Sequence, residues 1–228
     1  MVGMVKDSID NFEIVGFDKI SNEVMNTFLA GTIEKHKQGA MVMVELPTEK
    51  YFLVNVASVR YFTDNGFEGI YVSFQRPYNN IHQLFEEHGI NTDKLLIIDC
   101  ATMNSGVKPA EKKKCINISS AIDTDTLGKM IFGALKDIKS SNKFIIIDSL
   151  TTLALYKSES EITKLSDILV DKIRANDFDN VVLLFNVAED LSDKEFIKDI
   201  TSHADEVINV LNSAEKYTRE VIDPSVLT

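Results

Sequence analysis

"FIIIDSLTTLALY", residues Phe144 to Tyr156, is the stretch on which the fold turns. Four apolar residues run into Asp148, and Ser149, Leu150, Thr151 and Thr152 follow. A short continuous run of this kind, rich in isoleucine, suits a strand buried on both faces of a parallel sheet. Its carboxylate then stands at the carboxyl end of a strand, where open α/β sheets place their ligands.

Working outward, the same pattern recurs at Ala40–Leu46, Gly69–Phe74, Leu95–Asp99, Val181–Val187 and Glu206–Leu211. Helical periodicity fills the gaps. Val24, Phe28 and Ile33 mark an amphipathic run that ends near Gly39. Asn79 or Asn80 is expected to cap "IHQLFEEHG", with Gly89 as its stop. Asp123–Lys139 and Glu161–Ala175 each place apolar residues on one face, and Ser192 with Glu195 reads as a capping box before Phe196. Strand and helix alternate, which predicts a three-layer α/β fold with a mostly parallel central sheet and right-handed crossovers. With no internal repeat or linker, residues 1–228 read as one domain carrying an N-terminal helical extension over about 1–38.

The order of these motifs resembles the RecA-like ATPases of the KaiC group. Phe144–Leu153 resembles their Walker B strand. "GIYVSF" (Gly69 to Phe74) resembles the second strand, and "HADEVINV" (His203 to Val210) a late one. "GAMVMVE" (Gly39 to Glu45) resembles the strand that enters the phosphate-binding loop. The resemblance spans about Gly39 to Val210. It implies a RecA-like P-loop NTPase fold of archaeal type.

The same resemblance makes "MVMVELPTEKYFLV" (Met41 to Val54) conspicuous. Aligned without a gap, Leu46, Glu49 and Tyr51 fall on loop glycines. Phe52 falls on the phosphate-binding lysine, and Leu53 on the magnesium-binding hydroxyl. A phosphate loop works by wrapping backbone N–H groups around oxygens at close approach, which Tyr51 prevents. Phe52 brings no charge, and Glu49 puts a carboxylate where an anion would sit. Thr48 and Lys50 remain polar, but Lys50 lies too close to the strand for the usual spacing and reads as a solvated loop lysine. After the second strand the family carries an acidic residue that orients water. Here stand Gln75 and Arg76, and an amide cannot accept the proton as a carboxylate can. Near the C-terminus Arg219 lacks the K-x-R pairing of the family.

The resemblance therefore leaves Asp148, with Ser149 beside it, as the surviving part of a phosphoryl-transfer site. One carboxylate without a phosphate makes a poor magnesium site, so Asp148 is expected to bond the backbone N–H groups of the next loop, or Ser149 and Thr151. The candidate degenerate nucleotide site is thus Thr48, Glu49, Lys50, Tyr51, Phe52, Gln75, Arg76, Asp148 and Ser149, with no catalytic residue, metal or cofactor assigned. Tyr51 and Phe52 read as core residues at a helix start, or as a plug filling the space of a nucleotide.

Composition narrows the function. A net charge of −11 disfavours binding to a phosphate backbone. The one basic cluster, Lys108 to Lys114, reads as a solvated loop. Cys100 and Cys115 have no metal spacing and fit a reducing cytoplasm. Four histidines show no paired motif, and His203 near Asp205 and Ser202 reads as a helix end. No apolar run is long enough for a membrane span, and "MVGMVKDSIDNFEIV" has no apolar signal core. The first expectation is a non-catalytic domain that binds a protein, either a paralogue or itself, in regulation or signalling. Two alternatives stand beside it: an atypical ATPase using ATP and magnesium around Lys50, Gln75, Arg76 and Asp148, and a recombination accessory protein that binds single-stranded DNA.

Overall fold

The structure, a computed structural model, describes residues 19, 21–37, 39–102, 113–119, 121–175 and 178–211. Seven strands make one sheet: β1 (Ala40–Leu46), β2 (Glu68–Ser73), β3 (Leu95–Asp99), β4 (Cys115–Asn117), β5 (Lys143–Asp148), β6 (Val181–Ala188) and β7 (Glu206–Asn209). Their order across the sheet is β4-β3-β2-β5-β6-β1-β7, and every neighbouring pair is parallel.

Parallel neighbours need crossovers, and the crossovers cover both faces. One layer holds α1 (residues 21–35), α2 (Tyr51–Asp64) and α3 (Tyr78–Glu87). The other holds α4 (Thr124–Asp137), the single turn α5 (Leu150–Leu153), α6 (Glu159–Arg174) and α7 (Glu195–Ser202). The pleat sorts each strand between two cores. Phe144 and Ile146 of β5 pack with α1–α3, while Ile145 and Ile147 pack with α4, α5, α6 and α7. The three-layer α/β architecture expected from the alternation is the one observed.

Helix α2 is buried over most of its length, from Val54 to Val59 and again from Tyr61 to Thr63. It lies between α1 and α3, and Arg60 ties all three together by donating to Asn22 Oδ1 at 2.7 Å and to the His88 carbonyl at 3.0 Å. Its buried hydroxyls turn back onto the helix: Ser58 donates to the Val54 carbonyl at 2.7 Å. Beneath it Phe62 stacks on Phe144 with centroids 4.6 Å apart. Gly69 is what lets β2 lie beside β5 here, since a Cβ at that position would meet the Phe144 carbonyl oxygen at 2.3 Å.

Several local expectations need correction. Helix α3 begins at Tyr78 after Pro77, so Asn79 and Asn80 lie inside its first turn and cap nothing. Helix α6 begins two residues before Glu161, because Ser158 and Glu161 form a reciprocal capping box. The expected Ser192–Glu195 box does not form. Ser192 closes a 3₁₀ turn by donating to the Glu189 carbonyl, and Lys194 occupies the N-cap of α7. Gly89, at φ +70°, does end α3, and His203 is the C-cap of α7. Asp205 is engaged elsewhere, accepting from the Met41 N–H at 2.8 Å. Residues Lys108 to Lys112 of the basic cluster and Arg219 lie outside the described residues.

Candidate functional site

The carboxyl edge of the sheet brings three junctions together: β1 to α2, β2 to α3, and β5 to α5. At the first, Pro47 is extended and Thr48–Lys50 form a 3₁₀ turn that feeds directly into α2. Tyr51 is the first residue of that helix, and it points back over the sheet. Its hydroxyl donates to one oxygen of Asp148, and the hydroxyl of Tyr71 donates to the other. The register explains the second contact. Ser73 of β2 pairs with Asp148 and Tyr71 with Ile146, so Tyr71 and Asp148 face the same layer two residues apart.

Asp148 is 2% exposed, and burial raises its carboxyl above the usual carboxylate range. The two tyrosine hydroxyls, Asn55 and Arg76 pull in the opposite direction and offset only part of that effect. Burial also pushes both phenols well above their ordinary value, and the neighbouring Asp148 pushes them the same way. Tyr51 and Tyr71 therefore remain protonated and serve the Asp148 carboxylate as donors. One turn further along α2, buried Asn55 accepts from the side chain of Asn186 on β6, extending the polar network under the helix.

Outside this cluster lies a cavity of about 150 Å³. Thr48, Glu49, Tyr51 and Phe52 line it from the first junction, and Gln75 and Arg76 from the second. Ser149, Thr151, Thr152 and Ala188 close it. Seven of the nine residues expected at the site thus converge on one small space. Lys50 and Asp148 do not line it. Tyr51 both lines the cavity and holds Asp148, so its ring stands between the carboxylate and the opening. The Arg76 guanidinium lies 5.4 Å over the Phe52 ring, and Phe52 meets His88 edge-on at 5.3 Å.

The partners expected for Asp148 are occupied elsewhere. Ser149, joined to Asp148 by a cis peptide, caps α5 by accepting from the Thr152 N–H at 3.1 Å. Thr151 accepts from the Ala188 N–H at 2.7 Å. Tyr71 and Asn55 escaped the sequence reading. A signal existed for Tyr71, because a tyrosine inside an otherwise aliphatic buried strand must find a partner for its hydroxyl. Among the described residues, no three His, Cys, Asp or Glu side chains gather where they could hold a metal ion, and no helix is long and apolar enough to cross a membrane.

Residues 61–219 match the model of a family of unknown function, DUF7090. No curated protein matches the chain. Among solved structures, the KaiC-like protein PH0186 from Pyrococcus horikoshii OT3 aligns at 16% identity over 74% of this chain and 68% of its own, with a TM-score of 0.47. The uncharacterized protein PH0321 from Pyrococcus horikoshii, solved in complex with an unknown peptide, aligns at 12% identity over 74% of this chain and 76% of its own, with a TM-score of 0.54. The likeness to PH0321 is one of fold.

Proposed function

We propose that this chain, which belongs to the family of unknown function DUF7090, is a RecA/KaiC-like domain that has lost ATP chemistry and works by binding other proteins, in a regulatory or signalling role. The observation that carries this is Tyr51 seated on Asp148. A carboxylate that served magnesium and phosphate would need an open approach. Here a helix-opening phenol takes up one of its oxygens and a strand tyrosine the other. The remaining cavity, about 150 Å³, is well below the roughly 300–1,000 Å³ of pockets that enclose small-molecule ligands. Glu49 on its rim repels phosphate, and Phe52 offers no cation.

A domain that keeps its scaffold after its ligand chemistry is gone is retained for its surface. The net charge of −11 favours protein over nucleic acid as the partner of that surface. The peptide held by PH0321 is a precedent for a polypeptide ligand on a fold of this kind.

Isothermal titration with ATP and magnesium tests the proposal. Loss of the lysine contact alone removes a charged hydrogen bond of about 1.5–3 kcal/mol, a tenfold to hundredfold loss in affinity. No micromolar binding is expected. A micromolar dissociation constant that Lys50→Ala abolishes would overturn the proposal in favour of an atypical nucleotide site.

A further inference from the structure

Two surface features of the α4–α6 layer are unexplained by the cavity at the carboxyl edge. The first is a knob. Leu153, the last residue of α5, is buried, but the chain then turns outward and leaves Leu155 77% and Tyr156 50% exposed. These are the two most exposed large apolar side chains among the described residues. Lys157 follows, its side chain 9% exposed and paired with Glu161 at 3.6 Å, and then the exposed Ser158, Glu159 and Ser160 at the start of α6.

The second is a groove of about 400 Å³ between α4 and α6. Its floor is Gly128, Phe132, Gly133 and Ile168. Gly133 is exposed in the middle of a helix, where glycine lowers stability relative to alanine. A Cβ added there would meet nothing within 4 Å, so no packing within the described chain requires its absence. Lys129, Lys136 and Lys172 line the rim. One carboxylate, Asp125, also lines the groove, and it is paired with Lys164 at 2.7 Å. On a chain of net charge −11, a lysine-rimmed apolar groove is the complement of an apolar knob flanked by carboxylate.

We infer that the occupant of the groove is a second copy of this chain, with Leu155 and Tyr156 of each copy seated over Gly133 and Ile168 of the other. The spacing suits a two-fold pair. The knob sits in the turn that leads into α6 and the groove runs between α4 and the later turns of α6, with Glu159 roughly 14–20 Å from Ile168 and Lys172 at the α-helical rise. Two copies with antiparallel α6 helices therefore exchange both contacts at once, and Glu159 of each approaches the lysine rim of the other. This contact gives the protein-binding reading a specific partner and rests on it. The two fail separately, because micromolar ATP binding would overturn that reading without changing the mass of the particle.

Light scattering after size exclusion, across the micromolar range, is expected to give the mass of a dimer. Leu155→Asp removes the knob, and Gly133→Leu fills the groove from a position where the added Cβ meets no atom within 4 Å. Each is expected to weaken the dimer about tenfold or more, with a melting temperature for Gly133→Leu at least as high as that of Leu155→Asp. A short bismaleimide should then cross-link Tyr156→Cys in one copy to Gly133→Cys in a differently tagged copy, and should not cross-link wild-type chains. A monomeric mass up to high micromolar concentration, a dimer that both substitutions leave intact, or no cross-link in the mixture would each overturn the inference.

Discussion

Replacing Asp148 with asparagine should not destabilise this protein at neutral pH, although Asp148 is the most motif-like residue in the chain. The side chains have the same shape, and the amide that replaces the carboxylate would keep one oxygen to accept from a tyrosine hydroxyl. What is lost is charge. Two hydroxyl bonds to a carboxylate are worth about 1.5–3 kcal/mol each, while taking an ion out of water costs several kcal/mol. The raised carboxyl pKa says that the desolvation is the larger of the two. Each tenfold gain in proton affinity on folding corresponds to about 1.4 kcal/mol. The native state therefore binds the proton more tightly than the unfolded chain does. Wild-type stability from this group is fully present below the ordinary carboxylate range and is lost as pH rises through the elevated native value. Urea denaturation from pH 4 to 8 should show the wild type losing stability as pH rises relative to Asp148→Asn, with the variant at least as stable as the wild type at the upper end. A variant less stable than wild type by about 2 kcal/mol at the upper end would refute this, because it would mean that the charged carboxylate is net stabilising.

Gly69→Ala should cost more than the roughly 1–3 kcal/mol usual for overpacking, because the added Cβ meets a backbone oxygen that cannot step aside; urea unfolding or loss of soluble protein would report it. Ser158→Ala should remove the α6 capping box and cost about 1 kcal/mol, read as a lower urea midpoint with an unchanged slope. On the proposed loss of phosphate binding, Gln75→Glu should not produce ATP hydrolysis above background in a phosphate-release assay. Cys100 should stay unreactive toward a disulfide reagent in the native protein, because it is buried and its thiol is pushed far up, whereas half-buried Cys115, raised to about 11, should react slowly.

The sequence was most informative where burial is complete. Ala40–Leu46 and Leu95–Asp99 match β1 and β3 residue for residue, because a central parallel strand is apolar on both faces and stops where the polar loop begins. It was silent about β4, whose three half-buried residues lie at the sheet edge and carry no such run. The start of α6 was hidden because its first turn is solvated and its apolar face begins only at Ile162. At the site, alignment to a familiar loop brought most of the lining to one place. It could not show that Tyr51 reaches Asp148, since that contact joins residues separated by 97 positions. Nor could a strand pattern say which neighbour Tyr71 would meet until the β2–β5 register was fixed.

The position of β1 has a consequence for how the chain is made. Among the described strands its hydrogen-bonded neighbours are β6 and β7, so Ala40 waits for Val182 and Val42 for Glu206. On the ribosome the segment "AMVMVEL" emerges early, while both strands that flank it are still unsynthesised. Strands β2, β3, β4 and β5 can assemble among themselves in the meantime. The first strand is left as an apolar, β-prone ribbon with both edges open, the kind of segment that seeks illegitimate pairing. Pairing of β1 therefore waits for the last described strands, and non-local pairing of this kind is intrinsically slow.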